Sequence, residues 1–410
     1  MKEGIKIMSN NVKTNNKTAP EQFTLLKPEM VNDIWCAMTK DPNEFIKFIR
    51  DYEKNDKYIT VRVSDIVISP LVDLEDEIDA DFPSELADAV SDTQNHLQLY
   101  VTFKDEEENE YKLPLRETAH KSLLDRAKIN GHSLTVFKKT QLSRVLNMCY
   151  ELYPNTYALC YINNNKVNAV LSGDENDYAI LPLTDLVEIL HKRFTALNFT
   201  FKFIEGYIDH SYCFSKYEIT DGNLLDAYKK ALDDNKIPYN PSKLSAAVQF
   251  ASSNVGLSTA KVSSFIKNDD HYIPLGTACQ VQHRGKKTVE DFDNCLNGMF
   301  GSYQEAIVGL TKLMGIKLNH PVDTMVTVCR KLKLPSEQCR GAIALFESYA
   351  NSNMTAYDVY CALGEVIFNC TVSGVPETKT LIVTEDITKA LGFSERDWHK
   401  MDAPIKYRLW

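Results

Sequence analysis

The densest group of residues able to bind an anion is the run QHRGKK at residues 282–287. It places an arginine, a histidine and two lysines around a glycine, between an apolar run and a predicted helix. Guanidinium and ammonium groups donate charge-assisted hydrogen bonds to phosphate oxygens, and a glycine lets a phosphate approach the backbone. An exposed basic turn that binds nothing is the alternative interpretation. The candidate phosphate contacts here are His283, Arg284, Lys286 and Lys287.

A second basic group lies upstream, on two helices predicted over residues 116–129 and 134–152. Residues 111–147 contain eight lysines and arginines against two acids, an excess of +6. Two positively charged helices joined by the short turn NGHS are compatible with helix-turn-helix DNA binding. An ordinary helical hairpin with solvated lysines fits the same pattern. The predicted phosphate contacts on the second helix are Lys138, Lys139 and Arg144.

Aromatic residues alternate along residues 199–217, in the sequence FTFKFIEGYIDHSYCFSKY. Exposed aromatic rings on a sheet are the platform on which single-strand binding proteins stack bases. Alternating aromatics in paired strands are also typical of a hydrophobic core. If the rings are exposed, Tyr207 and Tyr212 are the candidates for base stacking.

The sequence gives little support for other chemistries. It contains no phosphate-binding P-loop, no glycine-rich dinucleotide fingerprint, no HExxH metalloprotease motif and no GxSxG nucleophile elbow. The spacing of His271, Cys279, His283 and Cys295 fits no compact zinc module. The acids Asp174, Glu175 and Asp177 are expected to be solvated turn residues. We therefore predict no metal and no cofactor, and favour a non-enzymatic protein.

Charge is unevenly distributed along the 410 residues, whose net charge is −10. Residues 71–110 contain fourteen acids and one lysine, a sum of −13, so the rest of the chain sums to +3. The acidic total therefore does not exclude an anionic partner elsewhere on the surface. The acidic segment itself is expected to be a solvated loop; alternatively it mimics nucleic acid and engages a host DNA-binding protein.

Composition and patterning indicate a cytoplasmic protein without a membrane segment. No apolar run approaches the length of a membrane span, and the first 22 residues lack the apolar core of a signal peptide. Ten cysteines are scattered without a CxxC pair, which is typical of reduced thiols.

The predicted elements give an α+β fold organised around residues 157–194. Strands over 157–162 and 166–171 flank an Asn-Asn-Asn turn, and Thr184 is expected to cap the helix that follows. Upstream we predict a helix over 24–52, a strand over 58–68 and a hairpin over 97–103 and 110–115. Downstream we predict strands over 198–206, 207–219, 246–253 and 260–266, with a helix over 221–234. The C-terminal part is predicted to be helical over 289–314, 322–333, 337–349, 356–368 and 385–391.

These elements predict a mixed or antiparallel central sheet with packed helices, a helical C-terminal part and an acidic N-terminal extension. We divide the chain into a disordered tail (1–22), an acidic α+β extension (23–110), a central α+β core (111–300) and a helical region (301–410).

Five stretches, taken together and in order, resemble a known family. They are LRETAHKSLLDRAKINGHSL, KVNAVLSGDENDYAILPLTDLVEIL, VQFASSNVGLSTAKVSSFI, HRGK and TAYDVYCALGEVI. The chain resembles, over about residues 113–368, the phage- and plasmid-borne family called domain of unknown function 932. It departs from that pattern at Asn168, where the family has arginine, and at Cys361, where asparagine is usual.

The resemblance implies a phage or mobile-element protein acting in bacterial cytoplasm. Combined with the basic groups, it leads us to expect nucleic-acid binding, with single-stranded DNA favoured, in replication or recombination. The alternative hypothesis is a host-takeover or anti-defence protein that contacts a host protein through its acidic segment. An oligomer is compatible with either function.

Overall fold

The structure, a computed structural model, describes residues 30–71, 82–130, 134, 136–174, 176–196, 200–220, 223–268, 271–373, 375 and 377–406. Its strands are β1 (Cys36–Thr39), β2 (Lys57–Arg62), β3 (Val67–Pro70), β4 (Leu99–Lys104), β5 (Glu110–Pro114), β6 (Tyr157–Asn163), β7 (Lys166–Ser172), β8 (Phe201–Asp209), β9 (Cys213–Ile219), β10 (Leu244–Ser252), β11 (Ala260–Asn268) and β12 (His271–Val281). Its helices are α1 (Pro42–Glu53), α2 (Ala87–Gln94), α3 (Ala119–Ala127), α4 (Lys139–Glu151), α5 (Leu183–Ala196), α6 (Asp226–Asp234), α7 (Val289–Asn297), α8 (Met299–Leu313), α9 (Pro321–Lys331), α10 (Ser336–Tyr349), α11 (Ala356–Val372), α12 (Glu377–Thr388) and α13 (Glu395–Met401).

The fold is α+β, as predicted, and its strands form antiparallel sheets. A six-stranded sheet has the order β1-β8-β9-β10-β11-β12, and two three-stranded sheets have the orders β2-β6-β7 and β3-β4-β5. A parallel bridge between Leu115 and Val167 joins the ends of the two smaller sheets. Helices α8 to α13 follow the last strand, which confirms the helical C-terminal part.

The hairpin β6–β7 is buried on both faces, which explains its nearly continuous apolar sequence. Cys160 and Val170 pack into the core shared by the two small sheets, α3 and α4. Tyr161 and Leu171 on the opposite face pack beside Tyr178 and Val255, towards the six-stranded sheet. The hairpin turn uses Asn164 and Asn165 at φ 47° and 65°, a left-handed conformation that asparagine tolerates.

The helix predicted over residues 24–52 is wrong over residues 30–41, and its residues 24–29 lie outside the described residues. Residues 36–39 instead form edge strand β1 on β8, and α1 begins only at Pro42. The Asp41 side chain accepts hydrogen bonds from the backbone of Asn43 and Glu44, so Asp-Pro fixes this helix start. Ile34, expected on the apolar helix face, is 74% exposed because it lies outside the helix.

Other boundaries differ because tertiary contacts place the breaks. The strand predicted over 58–68 splits into β2 and β3, which belong to different sheets. The β8–β9 turn lies after Asp209, so Gly206 is in the middle of β8 and not at the turn. Glycine suits that position because an added Cβ would lie 2.4 Å from the Phe45 ring. The helix predicted over 289–314 is broken at Gly298. Strand β12 and helix α13 were not predicted at all.

Helix α5 begins at Leu183, so the prediction of Thr184 as its N-cap is wrong. The backbone amides of Leu183 and Thr184 and the Thr184 hydroxyl instead donate to the Glu53 carboxylate, at 2.5–3.0 Å. A carboxylate from the end of α1 therefore caps α5, an arrangement that no local pattern in residues 183–186 reveals.

The predicted segment boundaries do not coincide with separate sheets or cores. Strands β1 and β2, from the predicted N-terminal extension, pair with β8 and β6 of the predicted core. One hydrophobic cluster runs from Trp35 through the six-stranded sheet to Met401. The predicted disordered tail (1–22) and residues 72–81 of the acidic segment lie outside the described residues.

A buried ion-pair network joins the N-terminal segment to the small sheets. Asp33, whose side chain is 4% exposed, accepts from Arg116 Nη1 at 3.1 Å and from Lys166 Nζ at 2.8 Å. Both cationic side chains are fully buried, and Lys166 also pairs with Asp92. Burial alone raises the pKa of Asp92, but the hydrogen bond and charge of Lys166 lower it overall. Two acids and two bases therefore neutralise one another inside the protein.

Replacing Asp33 by alanine should destabilise the fold by about 3–5 kcal/mol, because it leaves Arg116 without a carboxylate partner among the described residues and Lys166 with one. Urea unfolding followed by circular dichroism measures the loss. Glu188→Ala, which breaks the exposed Arg50–Glu188 pair, is the matched control and should cost about 1 kcal/mol or less. Equal losses in the two variants would show that the network does not stabilise the fold.

Asp56 predicts a pH-dependent stability. Burial raises the pKa of this carboxyl from 3.8 to about 7, although Oδ1 accepts hydrogen bonds from Tyr161 and Asn163. Because its pKa is higher in the folded protein, Asp56 stabilises the fold in its protonated form. This contribution is complete below the pKa of Asp56 in the unfolded chain and is lost as pH rises to about 7. Asp56→Asn, uncharged at every pH, should gain up to about 4 kcal/mol relative to the wild type between about pH 4 and pH 8.

Urea titrations of both proteins across this pH range measure the difference. Asp51→Asn, at an exposed position on α1, is the control and should follow the wild type. A stability difference between Asp56→Asn and the wild type that stays constant with pH would contradict the raised pKa.

Candidate functional site

An open, polar cleft of about 930 Å³ lies between the β6–β7 hairpin and one end of the six-stranded sheet. Its walls come from α3, the end of β7, the β10–β11 turn, the end of β12 and α12. Because these elements are far apart in sequence, only the tertiary fold assembles the cleft.

Backbone hydrogen bonds hold the turns that form one wall of this cleft. The amide of Gly285 donates to the carbonyl of Asp177 at 2.7 Å, and the Tyr178 hydroxyl donates to the carbonyl of Asn254 at 3.2 Å. Gly285 has φ 66°, in the left-handed region that favours glycine. The basic run at residues 282–287 is therefore anchored to the loop after β7 and lies at the edge of the cleft.

His283 supports this wall and has both ring nitrogens occupied. Nδ1 lies 3.1 Å from the carbonyl of Ala179 and must carry the proton, so Nε2 accepts from the Ser252 hydroxyl at 3.3 Å. The ring stacks on Tyr178, with 5.4 Å between centroids. Burial lowers the pKa of His283, although the Ala179 carbonyl opposes the shift. This histidine holds the turn as a neutral ring and has no donor left for a phosphate.

Two arginines of the cleft have positive charges that no ion pair with a described residue neutralises. Arg126 lies on α3, and Arg284 is exposed on the turn after β12. Neither forms a salt bridge with any residue that the structure describes. Arg126 Nε is also buried without a hydrogen-bond partner among those residues. An unpaired buried donor is costly, and an anion in the cleft would satisfy it.

Acidic residues balance the remaining charge. Lys261, also in the cleft, is paired with Glu385 of α12. Asp125 and Asp177 line the cleft as well, so it contains three basic and three acidic side chains besides neutral His283. A formally neutral cleft is unsuited to a long polyanion and better suited to one or two phosphates held by the arginines.

The structure separates the predicted nucleic-acid contacts into different regions. His283, Arg284 and Tyr212 line the polar cleft, whereas Lys287 is paired with Asp291 at 3.1 Å and Lys286 is exposed on the same turn. The three basic residues predicted as contacts on the second helix of the helical hairpin do not line the polar cleft, because α4 packs on α3 and β3 instead. These residues are Lys138, Lys139 and Arg144. Gly131, His132 and Ser133 of the predicted turn lie outside the described residues.

The two tyrosines proposed to stack bases pack against protein. Tyr207 stacks on Phe214 with 5.3 Å between centroids, and its hydroxyl donates to Asp209 at 2.7 Å. Tyr212 is 3% exposed and packs with Phe214, Ala251 and Leu381. Both rings pack against neighbouring side chains at this end of the sheet, and Tyr212 also contributes to the lining of the cleft.

Sequence reasoning missed Arg126 and Lys261 as cleft residues. Arg126 was counted within the basic excess of the helical hairpin, but nothing in α3 distinguishes it from its basic neighbours. Lys261 follows the β10–β11 turn in a strand whose other residues are mainly apolar or small. A lysine followed by the apolar and small residues VSSFI of a predicted strand was the available signal.

Metal binding has no geometric support in the described part of the chain, where no three His, Cys, Asp or Glu side chains are placed to share an ion. Cys279 lies beside Cys295, and both are free thiols. Nor do the described ranges contain a helix with the length and apolarity needed to cross a bilayer.

Comparison of the chain with protein-family models, with curated proteins and with solved structures gave no match. The geometry of the cleft is therefore the main basis for assigning a function to this protein.

The hydrogen bonds of His283 predict a proton on Nδ1, and the burial of its ring predicts a pKa below that of the unfolded chain. Because its pKa is lower in the folded protein, His283 stabilises the fold in its neutral form. This contribution is present above the unfolded-state pKa of about 6.5 and is lost as pH falls through the pKa of the folded state. NMR titration of the imidazole, referenced to the same residue in denaturant, measures both pKa and tautomer. A pKa of His283 in the folded protein equal to or higher than its pKa in denaturant would contradict this assignment.

Proposed function

We propose that this protein binds a short stretch of single-stranded nucleic acid in the polar cleft. The observation that supports this most directly is the pair of arginines, Arg126 and Arg284, which line one open cleft without a salt bridge to a described residue. Each guanidinium presents a planar fork of donors that matches a phosphate. The buried, unpartnered Nε of Arg126 is the donor with most to gain from such a contact.

Apolar side chains at the cleft favour a single strand over a duplex. Leu257 on the β10–β11 turn and Ile382 on α12 line the cleft and remain 41% and 58% exposed. Unpaired bases offer apolar faces to such side chains, whereas a duplex hides them in its stack. Phosphates held by the arginines and bases resting on the apolar side chains make a consistent binding mode for one strand.

As a further part of this proposal, we place the binding in replication or recombination of a mobile element, on the basis of the sequence resemblance alone, since no family model matches the chain. The protein then acts in the cytoplasm of a bacterial host and needs no catalytic residue. Because the cleft is formally neutral, electrostatics should contribute only modestly to the binding affinity, and counterions should be released from only two phosphates. We therefore expect a slope of about −1.4 for log affinity against log salt, from about −0.7 per phosphate on a single strand.

The test replaces both arginines by glutamine, which keeps most of the side-chain packing and removes the charge. Arg126→Gln with Arg284→Gln should weaken binding of a labelled single-stranded oligonucleotide about a hundredfold at low salt, because two charge-assisted contacts are lost. The salt slope should fall towards zero. Fluorescence anisotropy across a salt series measures both quantities.

The matched control is Lys138→Gln with Arg144→Gln, which removes the same charge from α4. It should leave affinity nearly unchanged if the cleft is the site. If the control weakens binding and the cleft variant does not, the helical hairpin is the binding surface. No binding by the wild type at low salt would overturn the proposed function.

Contact with a host protein through the acidic segment remains the alternative prediction. Deleting residues 71–110 cannot test it, because that range includes α2, β4 and β5. Changing the acids at positions 73–81 to their amides tests it without removing these elements. Loss of a specific host partner in a pull-down would support the alternative.

A further inference from the structure

A second cavity, of about 230 Å³, lies between the six-stranded sheet and helices α11 and α12. We call it the sheet pocket. Its walls are mainly apolar and include Phe265, Phe368 and Leu381. At Gly364 an added Cβ would lie 3.2 Å from the carbonyl of Tyr272, so the absence of a side chain allows α11 to pack closely on β12. The cavity is smaller than the roughly 300–1,000 Å³ of drug-sized sites.

One buried polar atom at this pocket lacks a hydrogen-bond partner among the described residues. Gln249 of β10 lines the pocket and is 6% exposed, and its Nε2 is buried without a hydrogen-bond partner in the described part of the chain. A buried amide donor left unpaired costs free energy, so native proteins rarely keep one without a ligand or water. An acceptor bound in the pocket would satisfy it.

The charges around Gln249 are already neutralised. Its cross-strand neighbour Lys216 donates to Glu205 at 2.8 Å, and Lys267 pairs with Glu218 two residues further along the strands. The polar end of the pocket therefore carries no net charge and favours an uncharged ligand. Aromatic walls, apolar surroundings and one carboxamide together suit a flat heterocycle with polar groups on its edge.

We propose that the sheet pocket binds a heterocyclic nucleobase, with the Gln249 carboxamide paired to its edge. A carboxamide offers a donor and an acceptor side by side, the pattern with which glutamine recognises adenine. Phe265 and Phe368 provide apolar ring surface for the base faces.

The pocket and the polar cleft share a wall. Leu381 lines both cavities, and α12 also contributes Glu385, the partner of Lys261, to the cleft. A strand whose phosphates lie in the cleft would therefore have one base within reach of the pocket. This placement rests on the proposed function, whereas binding of a free nucleoside does not.

The experiment titrates adenosine into the full-length protein by isothermal calorimetry. Gln249→Leu should weaken adenosine binding about tenfold or more, because it keeps the side-chain size and removes the amide. Purine riboside, which lacks the 6-amino donor, should bind the wild type about tenfold more weakly than adenosine. Gln304→Leu makes the same chemical change at an exposed position on α8 and should not alter binding.

Thermal melting separates a binding role from a structural one. Since the Gln249 amide nitrogen has no hydrogen-bond partner among the described residues, Gln249→Leu should melt at or above the wild-type temperature. A clear drop would show that the amide is paired within the protein and would overturn the inference. Phe368→Ala, at a side chain that is 56% exposed, is a second variant that should weaken adenosine binding without loss of the fold.

The outcomes distinguish this inference from the proposed function. If adenosine does not bind, or binds Gln249→Leu as tightly as the wild type, the base pocket is wrong. Oligonucleotide binding that still requires the two cleft arginines would then leave the proposed function standing. If adenosine binds with the expected dependence but oligonucleotides do not bind, the pocket stands and the cleft assignment fails.

Discussion

The arrangement of the sheets depends most on the buried ion pairs of the Asp33 carboxylate. This carboxylate is buried with two cations, Arg116 from the β5–α3 connection and Lys166 from the start of β7. A charge taken out of water is stable only when partners replace its hydration, so each member of this group fixes the position of the others. Asp92 supplies the second negative charge, which brings α2 into the same network.

Hydrogen bonds extend this network to the six-stranded sheet. Arg116 Nε donates to Asn168 at 2.7 Å, and the Asn168 amide donates to the Tyr52 hydroxyl at 3.2 Å. His210, after β8, donates from Nε2 to the carbonyl of Asn32 at 2.8 Å and accepts from Tyr52. Burial, reinforced by the charge of Arg116, holds the pKa of His210 well below its usual range. The N-terminal segment, the β6–β7 hairpin and β8 are thus held by a continuous set of polar contacts.

That arrangement creates the polar cleft. The end of β7 faces the β10–β11 turn because the hairpin is held against the large sheet, and the loop after β7 is joined to both the β10–β11 turn and the basic turn. The aromatic residues of β8 and β9, which the sequence suggested as a stacking surface, pack in the sheet core instead. The functional surface therefore lies at the ends of the strands, where turns leave polar groups facing solvent.

Local sequence determined much of the secondary structure and part of the site. The Asn-rich turn, the alternating strands and the apolar helix stripes each depend on neighbours a few residues apart, so the β6–β7 hairpin and most C-terminal helices were predicted close to their observed positions. The basic run at residues 282–287 was also recognisable, because its residue types alone suit an anion. Arg284 follows from that run, and it does line the cleft.

Only the tertiary structure decided which charges remain available. Lys261 and Lys166 each have a carboxylate partner that the fold brings from a distant part of the chain, whereas Arg126 and Arg284 have none among the described residues. The same holds for Gln249, a polar residue in an apolar strand whose unpaired amide becomes visible only when α11 and α12 cover it. Pairing and burial depend on residues more than a hundred positions apart, as in Lys166 with Asp33 and Lys261 with Glu385. Short-range patterns contain no information about such contacts, so the sequence determined the elements and the packing of those elements determined the site.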